Sequence, residues 1–193
     1  MIASLRARAL GIALGIALAA GAAATPSDSL YQLEIPLVDQ SGRATAFDRE
    51  RGHPLLVSLF YTSCDFVCPT LVSTLQRLEA ELDVPARGRL RVLLVSLDPE
   101  RDTPEQLARA ARRHRVDLAR WSLTRASEDD LRALAALLGA PYRRLPDGEF
   151  NHATAISLLD AEGRLVARSE TLGRLDADFL ARLRAATSAP PGD

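Results

Sequence analysis

The chain has 193 residues, 47% of them hydrophobic, and a formal net charge of -1 at pH 7. A chain of this length and composition can bury one good core, which excludes collagen, a coiled coil and a disordered chain. The nearly balanced charge gives no basic face for binding nucleic acid. We therefore expect one folded domain between a leader and a short tail.

Residues 1–24 have the pattern of a secretory signal peptide. Arg6 and Arg8 precede an apolar run from Ala9 to Ala20, and the small residues Ala22–Ala24 form a cleavage site. An uncleaved anchor is the alternative, but a membrane span needs about 20 strongly apolar residues, and this run is shorter and rich in alanine. We therefore expect an exported, periplasmic protein, which would be anchored to the membrane only if the leader is not cleaved.

Two short β-patterns precede the core. Leu33–Val38 and Ala44–Phe47 flank the turn residues Asp39–Gly42. This arrangement predicts a small antiparallel ribbon. We expect the ribbon to cap one edge of the sheet.

The only two cysteines of the chain, Cys64 and Cys68, lie between a predicted strand and a predicted helix. Leu55–Phe60 is mostly apolar and rich in β-formers, and after Pro69 apolar residues recur at helical spacing as far as Leu82. Because proline suits the first helical position, we expect Cys68 to be the N-cap and Pro69 position N1. The positive end of the helix dipole would then lower the pKa of Cys68.

Further strands and helices follow the cysteines. Arg89–Leu97 predicts a second strand, parallel to the first because the helix between them makes a right-handed crossover, and this places Asp98 on the same rim as Cys64. The later predicted elements are a helix from Pro104 to about His114 capped by Thr103, a strand Arg120–Thr124, a helix from about Glu128 to Leu138, a hairpin of Ala153–Leu159 and Arg164–Arg168, and a helix Asp176–Ala186. Residues 188–193 predict a disordered tail.

This order of elements predicts an α/β, thioredoxin-like fold with an N-terminal β-ribbon, over residues 25–187. Ligands of open α/β sheets bind at the carboxyl ends of strands, where the dithiol and Asp98 are expected. The fold alone does not choose a function.

Three residues separate the two thiols, whereas thioredoxin-like reductases have two. The pair could be a structural disulfide, a redox pair or a metal site. A disulfide that closes so small a loop stabilises little, which makes the structural interpretation the weakest of the three.

His152 is the third candidate site residue, because it comes directly before the predicted hairpin strand. In thioredoxin-like folds that position faces the dithiol and usually holds a cis-proline, which this chain lacks. A histidine in isolation is more often an ordinary polar residue, and we interpret His53 and His114 as ordinary surface residues. Two thiolates and an imidazole match copper, since zinc would usually need a fourth ligand.

Two motifs, Tyr61–Thr70 and Ser96–Pro104, together with the late histidine, resemble the Sco/SenC family of copper chaperones. The resemblance implies a thioredoxin-like fold and copper bound by Cys64, Cys68 and His152. It also implies assistance in assembling the dinuclear CuA site of cytochrome c oxidase subunit II.

The chain departs from the family pattern at two places. The family usually has Pro-Asp-Val or Pro-Asp-Ile between its cysteines, where this chain has Asp65-Phe66-Val67. The family also often has aspartate before the histidine, where this chain has Asn151. We expect a less preorganised loop and a less basic imidazole.

Two functions of different classes follow from these residues. In the first, the reduced chain accepts copper, Cu(I) or Cu(II), from a periplasmic donor and passes it to subunit II or another acceptor protein, without catalytic turnover. In the second, the chain is a thiol-disulfide reductase in which Cys64 attacks and Cys68 resolves. A thiol peroxidase would need a peroxide pocket that we do not identify. The spacing of the thiols, the missing cis-proline and His152 favour the first function, and both could coexist.

Asp98, Arg101 and Asp102 lie in the second motif. They could shape the site rim or a partner surface, and a turn with a helix entry explains them equally well.

Overall fold

The computed structural model describes residues 26–64 and 66–188. Asp65, residues 189–193 of the predicted tail and residues 1–25, which include the predicted signal peptide, lie outside the described residues. The first residue of the predicted tail, Ser188, instead ends the last helix. No helix within the described ranges has the length and apolar character needed to cross a membrane.

The described chain folds into a mixed α/β structure, as the sequence predicts. The strands are β1 Pro36–Asp39, β2 Ala44–Ala46, β3 Leu55–Phe60, β4 Arg91–Ser96, β5 Trp121–Arg125, β6 Tyr142–Arg144, β7 Phe150–His152, β8 Ile156–Leu159 and β9 Leu165–Ser169. The helices are α1 Val67–Ala80, α2 Val84–Arg89, α3 Pro104–His114, α4 Glu128–Leu137 and α5 Ala177–Ser188. Short 3-10 turns cover Leu30–Gln32 and Phe47–Glu50.

Seven strands form one sheet in the order β2-β1-β5-β4-β3-β8-β9 within the described part of the chain. The central strands β3 and β4 are parallel, with Leu56 opposite Val92, which confirms the predicted crossover arrangement. Every residue of β3 is buried, because helices cover both faces of the sheet centre. The carboxyl ends of β3 and β4 therefore lie side by side, and the cysteines follow the first of them.

The predicted ribbon lies at one edge of this sheet. β1 pairs with β2 in antiparallel register and with β5 on its other side. The buried carboxylate of Asp39 accepts hydrogen bonds from the backbone N–H groups of Ser41 and Arg43, at 2.8 and 3.0 Å. This Asx-type turn fixes the register of the ribbon.

Two predicted helix starts are confirmed. Thr103 caps α3 by accepting from the N–H of Gln106, and Ser127 caps α4 by accepting from the N–H of Asp130. The short helix α2 was not predicted, since it holds only six residues and too few for a periodic pattern.

Candidate functional site

Cys64 and Cys68 lie at the junction of β3 and α1, where the predicted details of the helix start are wrong. The helix begins at Val67 with Phe66 as its N-cap, so that Cys68 and Pro69 lie inside the first turn. Proline is tolerated there because the first-turn N–H groups have no intrahelical partner. Phe66 makes no side-chain cap, and the N–H of Cys68 donates instead to the Sγ of Cys64 at 3.3 Å. The sulfur of Cys64 therefore caps the helix.

Both cysteines are buried, with 8% of Cys64 and 3% of Cys68 exposed. Burial raises the pKa of the Cys68 thiol, and a backbone hydrogen bond at Tyr61 only partly opposes it. The expected lowering of the Cys68 pKa is therefore wrong, because loss of hydration outweighs the helix dipole at this depth. Burial therefore favours the protonated thiol at Cys68.

The cysteine loop is held to the sheet by the buried carboxylate of Asp102. Asp102 accepts from the backbone N–H of Thr62 at 3.1 Å and from its hydroxyl at 2.5 Å. It also accepts from the hydroxyl of Ser96, at the end of β4, at 2.5 Å. Burial raises the pKa of Asp102, while these hydrogen bonds lower it. The carboxylate thus fixes the loop two residues before Cys64.

Tyr61 connects the cysteine loop to the segment that carries His152. Its ring lies 5.1 Å from the ring of Phe150 and 6.1 Å from that of His152, between centroids. Its hydroxyl donates to Glu149 Oε2 at 2.6 Å. Burial, followed by the hydrogen bond to Glu149, raises the pKa of Tyr61, which keeps the hydroxyl protonated as a donor.

His152 lies in β7, which pairs with β6 in a separate two-stranded sheet, with His152 opposite Tyr142. The sequence instead places His152 directly before the hairpin strand, but residues 153–155 separate it from β8, so that detail is wrong. Short strands of polar and aromatic residues gave no β-alternation strong enough to predict β6 and β7. We refer to β6, β7 and the turn between them as the histidine hairpin.

The imidazole of His152 is half-buried, and burial lowers its pKa. A neutral ring is the form that binds metals. Its Nδ1 lies 3.4 Å from the hydroxyl of Thr154, a distance at which a hydrogen bond is weak. The ring is therefore held in place loosely.

The structure brings the two cysteines together and packs His152 against Tyr61, three residues before Cys64. Within residues 26–64 and 66–188, no three side chains of histidine, cysteine, aspartate or glutamate form a group arranged to hold a metal ion. His53 contacts the Arg89 carbonyl through Nδ1 at 3.2 Å, and His114 lies on α3. Both are half-buried rather than surface residues.

Sequence reasoning did not identify Tyr61 and Glu149 as neighbours of the candidate ligands. They are separated by 88 residues, and only the pairing of elements brings them together. The available signal was the polar aromatic residue Tyr61 directly after the mostly apolar strand β3.

Phe66, between the cysteines, is 86% exposed beside the buried thiols.

Known proteins of one family are similar to this chain in sequence and in fold. The family model described as SCO1/SenC matches residues 24–187. A candidate copper-binding protein of Stutzerimonas stutzeri is 28% identical over 136 residues, which cover 68% of this chain and 65% of that protein. The match therefore spans slightly less than two thirds of that relative.

Two solved structures show the same fold. Bradyrhizobium japonicum ScoI with copper bound has a TM-score of 0.67 at 23% identity, over 80% of this chain and 98% of its own. BsSco, described as a member of the Sco family of cytochrome c oxidase assembly proteins with a disulfide switch, has a TM-score of 0.66 at 20% identity, over 81% of this chain and 92% of its own. The predicted thioredoxin-like fold is confirmed, and the match over residues 24–187 shows that the chain belongs to the SCO1/SenC family.

Proposed function

We propose that this protein binds one copper ion through Cys64, Cys68 and His152, and that it delivers copper to the CuA site of cytochrome c oxidase subunit II. The observation that carries the proposal is the pair of buried thiols at the start of α1, with an imidazole that packs against Tyr61, three residues before Cys64. Thiolates are soft donors that suit Cu(I), and imidazole also suits Cu(II). The copper-binding relatives support the assignment of the metal.

Copper binding at this site requires a local rearrangement. Because the described residues show no ready group of three donors, His152 must approach the sulfurs when the metal binds. Tyr61 packs against His152 and comes three residues before Cys64, so we expect its ring or the histidine hairpin to shift. The buried thiols would release their protons to solvent as copper replaces those protons on the sulfurs.

Titration of the fully reduced protein with Cu(I) under anaerobic conditions tests the proposal. We expect one copper per chain in the wild type and no tight binding in Cys64→Ser or Cys68→Ser, because each variant lacks one of two soft ligands. Ser63→Ala is the matched control, since Ser63 is an exposed neighbour of Cys64. Unchanged stoichiometry in both cysteine variants would exclude a thiolate copper site.

A thiol-disulfide reductase is the second candidate. The contact between Cys64 Sγ and the N–H of Cys68 favours it, because it holds both thiols in one small loop, as resolution of a mixed disulfide requires. In that reaction the Cys64 thiolate attacks an acceptor disulfide and Cys68 then resolves the mixed disulfide, so that two electrons pass to the acceptor. Burial of both sulfurs limits the in-line approach that such attack requires.

The two candidates are separated by trapping. Cys68→Ser should accumulate a mixed disulfide on Cys64 with an oxidised acceptor if the protein is a reductase. If instead the reduced wild type leaves the acceptor disulfide intact while still binding copper, the reductase function is excluded.

We further propose that the protein acts in the periplasm. The signal-peptide pattern of residues 1–24 supports export. Fractionation of cells that express the full chain, with N-terminal sequencing, tests both the compartment and cleavage after Ala24.

A further inference from the structure

We propose that Arg101 is a positioning residue for His152, because its guanidinium joins the buried carboxylate of Asp98 to the turn of the histidine hairpin. The proposal rests on the proposed role of His152 as a copper ligand. It gives the Asp98–Asp102 segment a function that the sequence left undecided between a fold role and a site role.

The base of this connection is a rigid turn at the end of β4. The N–H of Asp98 donates to the hydroxyl of Ser96 at 2.9 Å. The carbonyl of Asp98 accepts from the N–H groups of Arg101 at 3.1 Å and Asp102 at 2.8 Å. These bonds and the Thr103 cap account for the turn and for the start of α3 without using the Arg101 side chain.

The Arg101 guanidinium is held at this turn by an ion pair. Its Nε donates to Oδ2 of Asp98, whose side chain is only 2% exposed, whereas that of Arg101 is 46% exposed. A buried carboxylate without a partner is costly, so the guanidinium stays on Asp98. One edge of its planar group remains available for a second contact.

That second contact is the histidine hairpin. Nη2 of Arg101 donates to the carbonyl of Gly148 at 2.6 Å. Gly148 has a φ of +86°, and a Cβ at this position would lie 3.2 Å from Nη1 of Arg101. The hairpin backbone therefore approaches the guanidinium closely, at a position where glycine is strongly favoured.

Other contacts of the hairpin with the sheet rim are weaker or act at another place. Arg144 pairs with Glu100 at 3.0 Å, but their side chains are 45% and 65% exposed, and such pairs contribute little. Glu149 accepts from Tyr61, on the side of the cysteines. Arg101 thus links the hairpin turn to a buried carboxylate at the end of β4.

The same turn also holds the cysteine loop, because Asp102 accepts from Thr62. Asp102 therefore locates Cys64, and Arg101 locates the hairpin that ends in His152. The cysteine loop and the histidine hairpin are thus both attached to the turn at the end of β4, so the distance between the thiols and the imidazole depends on this short segment.

The test compares Arg101→Gln with Arg184→Gln. Arg184 lies on α5, is 53% exposed and pairs with Glu81 at 3.0 Å, so its ion pair does not involve the hairpin. In the metal-free full chain, we expect amide hydrogen exchange of residues 149–152 to accelerate about tenfold in Arg101→Gln, because the variant loses about one charge-assisted hydrogen bond. In Arg184→Gln the same exchange should stay unchanged.

Copper supplies the second measurement. In Arg101→Gln, Cu(II) affinity should fall about tenfold and the imidazole nitrogen couplings in its EPR spectrum should weaken, while Cu(I) affinity stays close to the wild-type value. Arg101→Lys should restore less than half of the loss in log affinity, because an ammonium lacks the planar two-sided geometry. Equal hairpin exchange in wild type and Arg101→Gln would overturn the proposal.

The double variant Asp98→Asn/Arg101→Gln guards against misfolding, since it removes the pair without leaving a buried unpaired charge. It should show the same faster hairpin exchange, and protection like that of the wild type would overturn the proposal. If the wild type binds no copper, the proposed function fails, whereas the exchange experiment still decides whether Arg101 holds the hairpin.

Discussion

His152→Ala is the variant that best distinguishes a copper ligand from a core residue. In the metal-free protein the imidazole is half-buried, packs edge-on against Tyr61 at 6.1 Å and makes one weak contact with Thr154 at 3.4 Å. Such an aromatic contact and partial burial contribute about 1 to 2 kcal/mol. For a domain of this size, that loss lowers the thermal midpoint by about 2 to 8 °C.

The effect on copper should be much larger and should depend on the oxidation state. Cu(I) can be held by two thiolates, whereas Cu(II) needs nitrogen donors, so His152→Ala should weaken Cu(II) binding more than Cu(I) binding. The assay is competitive titration with each ion, paired with thermal unfolding of the metal-free protein. His114→Ala is the matched control, because His114 is another half-buried histidine whose pKa is also lowered by burial.

Two outcomes would refute this reasoning. If the metal-free His152→Ala protein loses its cooperative transition, the histidine is needed for the fold. If Cu(II) and Cu(I) affinities fall by the same factor as each other, the imidazole is not a ligand that discriminates between the two ions.

Three further predictions follow from the site and the core. Oxidation of Cys64 and Cys68 to a disulfide should abolish copper binding, and reduction should restore it; equal titrations of both forms would show that the sulfurs are not ligands. Copper affinity should rise with pH, and because burial raises the pKa of Cys68, the rise should continue above the pKa of a free thiol, about 8.5. Titration calorimetry in buffers of different ionisation enthalpy measures the accompanying proton release, and a pH-independent affinity would contradict this prediction. Gly163→Ala should lower the free energy of unfolding, measured in urea, by at least about 2 kcal/mol more than Gly42→Ala does. Both glycines have a positive φ, but an added Cβ at Gly163 would lie 2.4 Å from Cδ2 of Tyr31, whereas at Gly42 it would contact nothing. Equal losses of stability would show that the Tyr31 ring adapts without cost.

The larger elements could be predicted because each depends on a local and periodic signal. Leu55–Phe60 and the strand that ends at Ser96 are continuous apolar runs, and Thr103 and Ser127 are capping residues directly before helical patterns. Such signals need no knowledge of what packs against them. The parallel pairing of the two central strands followed from the same signals together with the crossover rule.

The start of α1 could not be predicted, because two local preferences conflict there. The proline pattern places Cys68 at the N-cap, yet Cys68 donates its N–H to the sulfur of Cys64, which lets the helix begin at Val67. The raised pKa of Cys68 likewise depends on burial against the folded chain, which no window of sequence contains. Sequence patterns indicated which residues carry the chemistry and left their protonation open.

The segment Asp98–Asp102 shows why a motif can be recognised before its role is known. Its backbone bonds span three or four residues and are those of an ordinary turn before a helix. Its side chains reach 40 residues back to Thr62 and 47 residues forward to Gly148. A local pattern contains the first set of contacts and none of the second. A turn and helix entry therefore explained the sequence equally well, although in the fold Asp102 contacts the cysteine loop and Arg101 contacts the turn of the histidine hairpin.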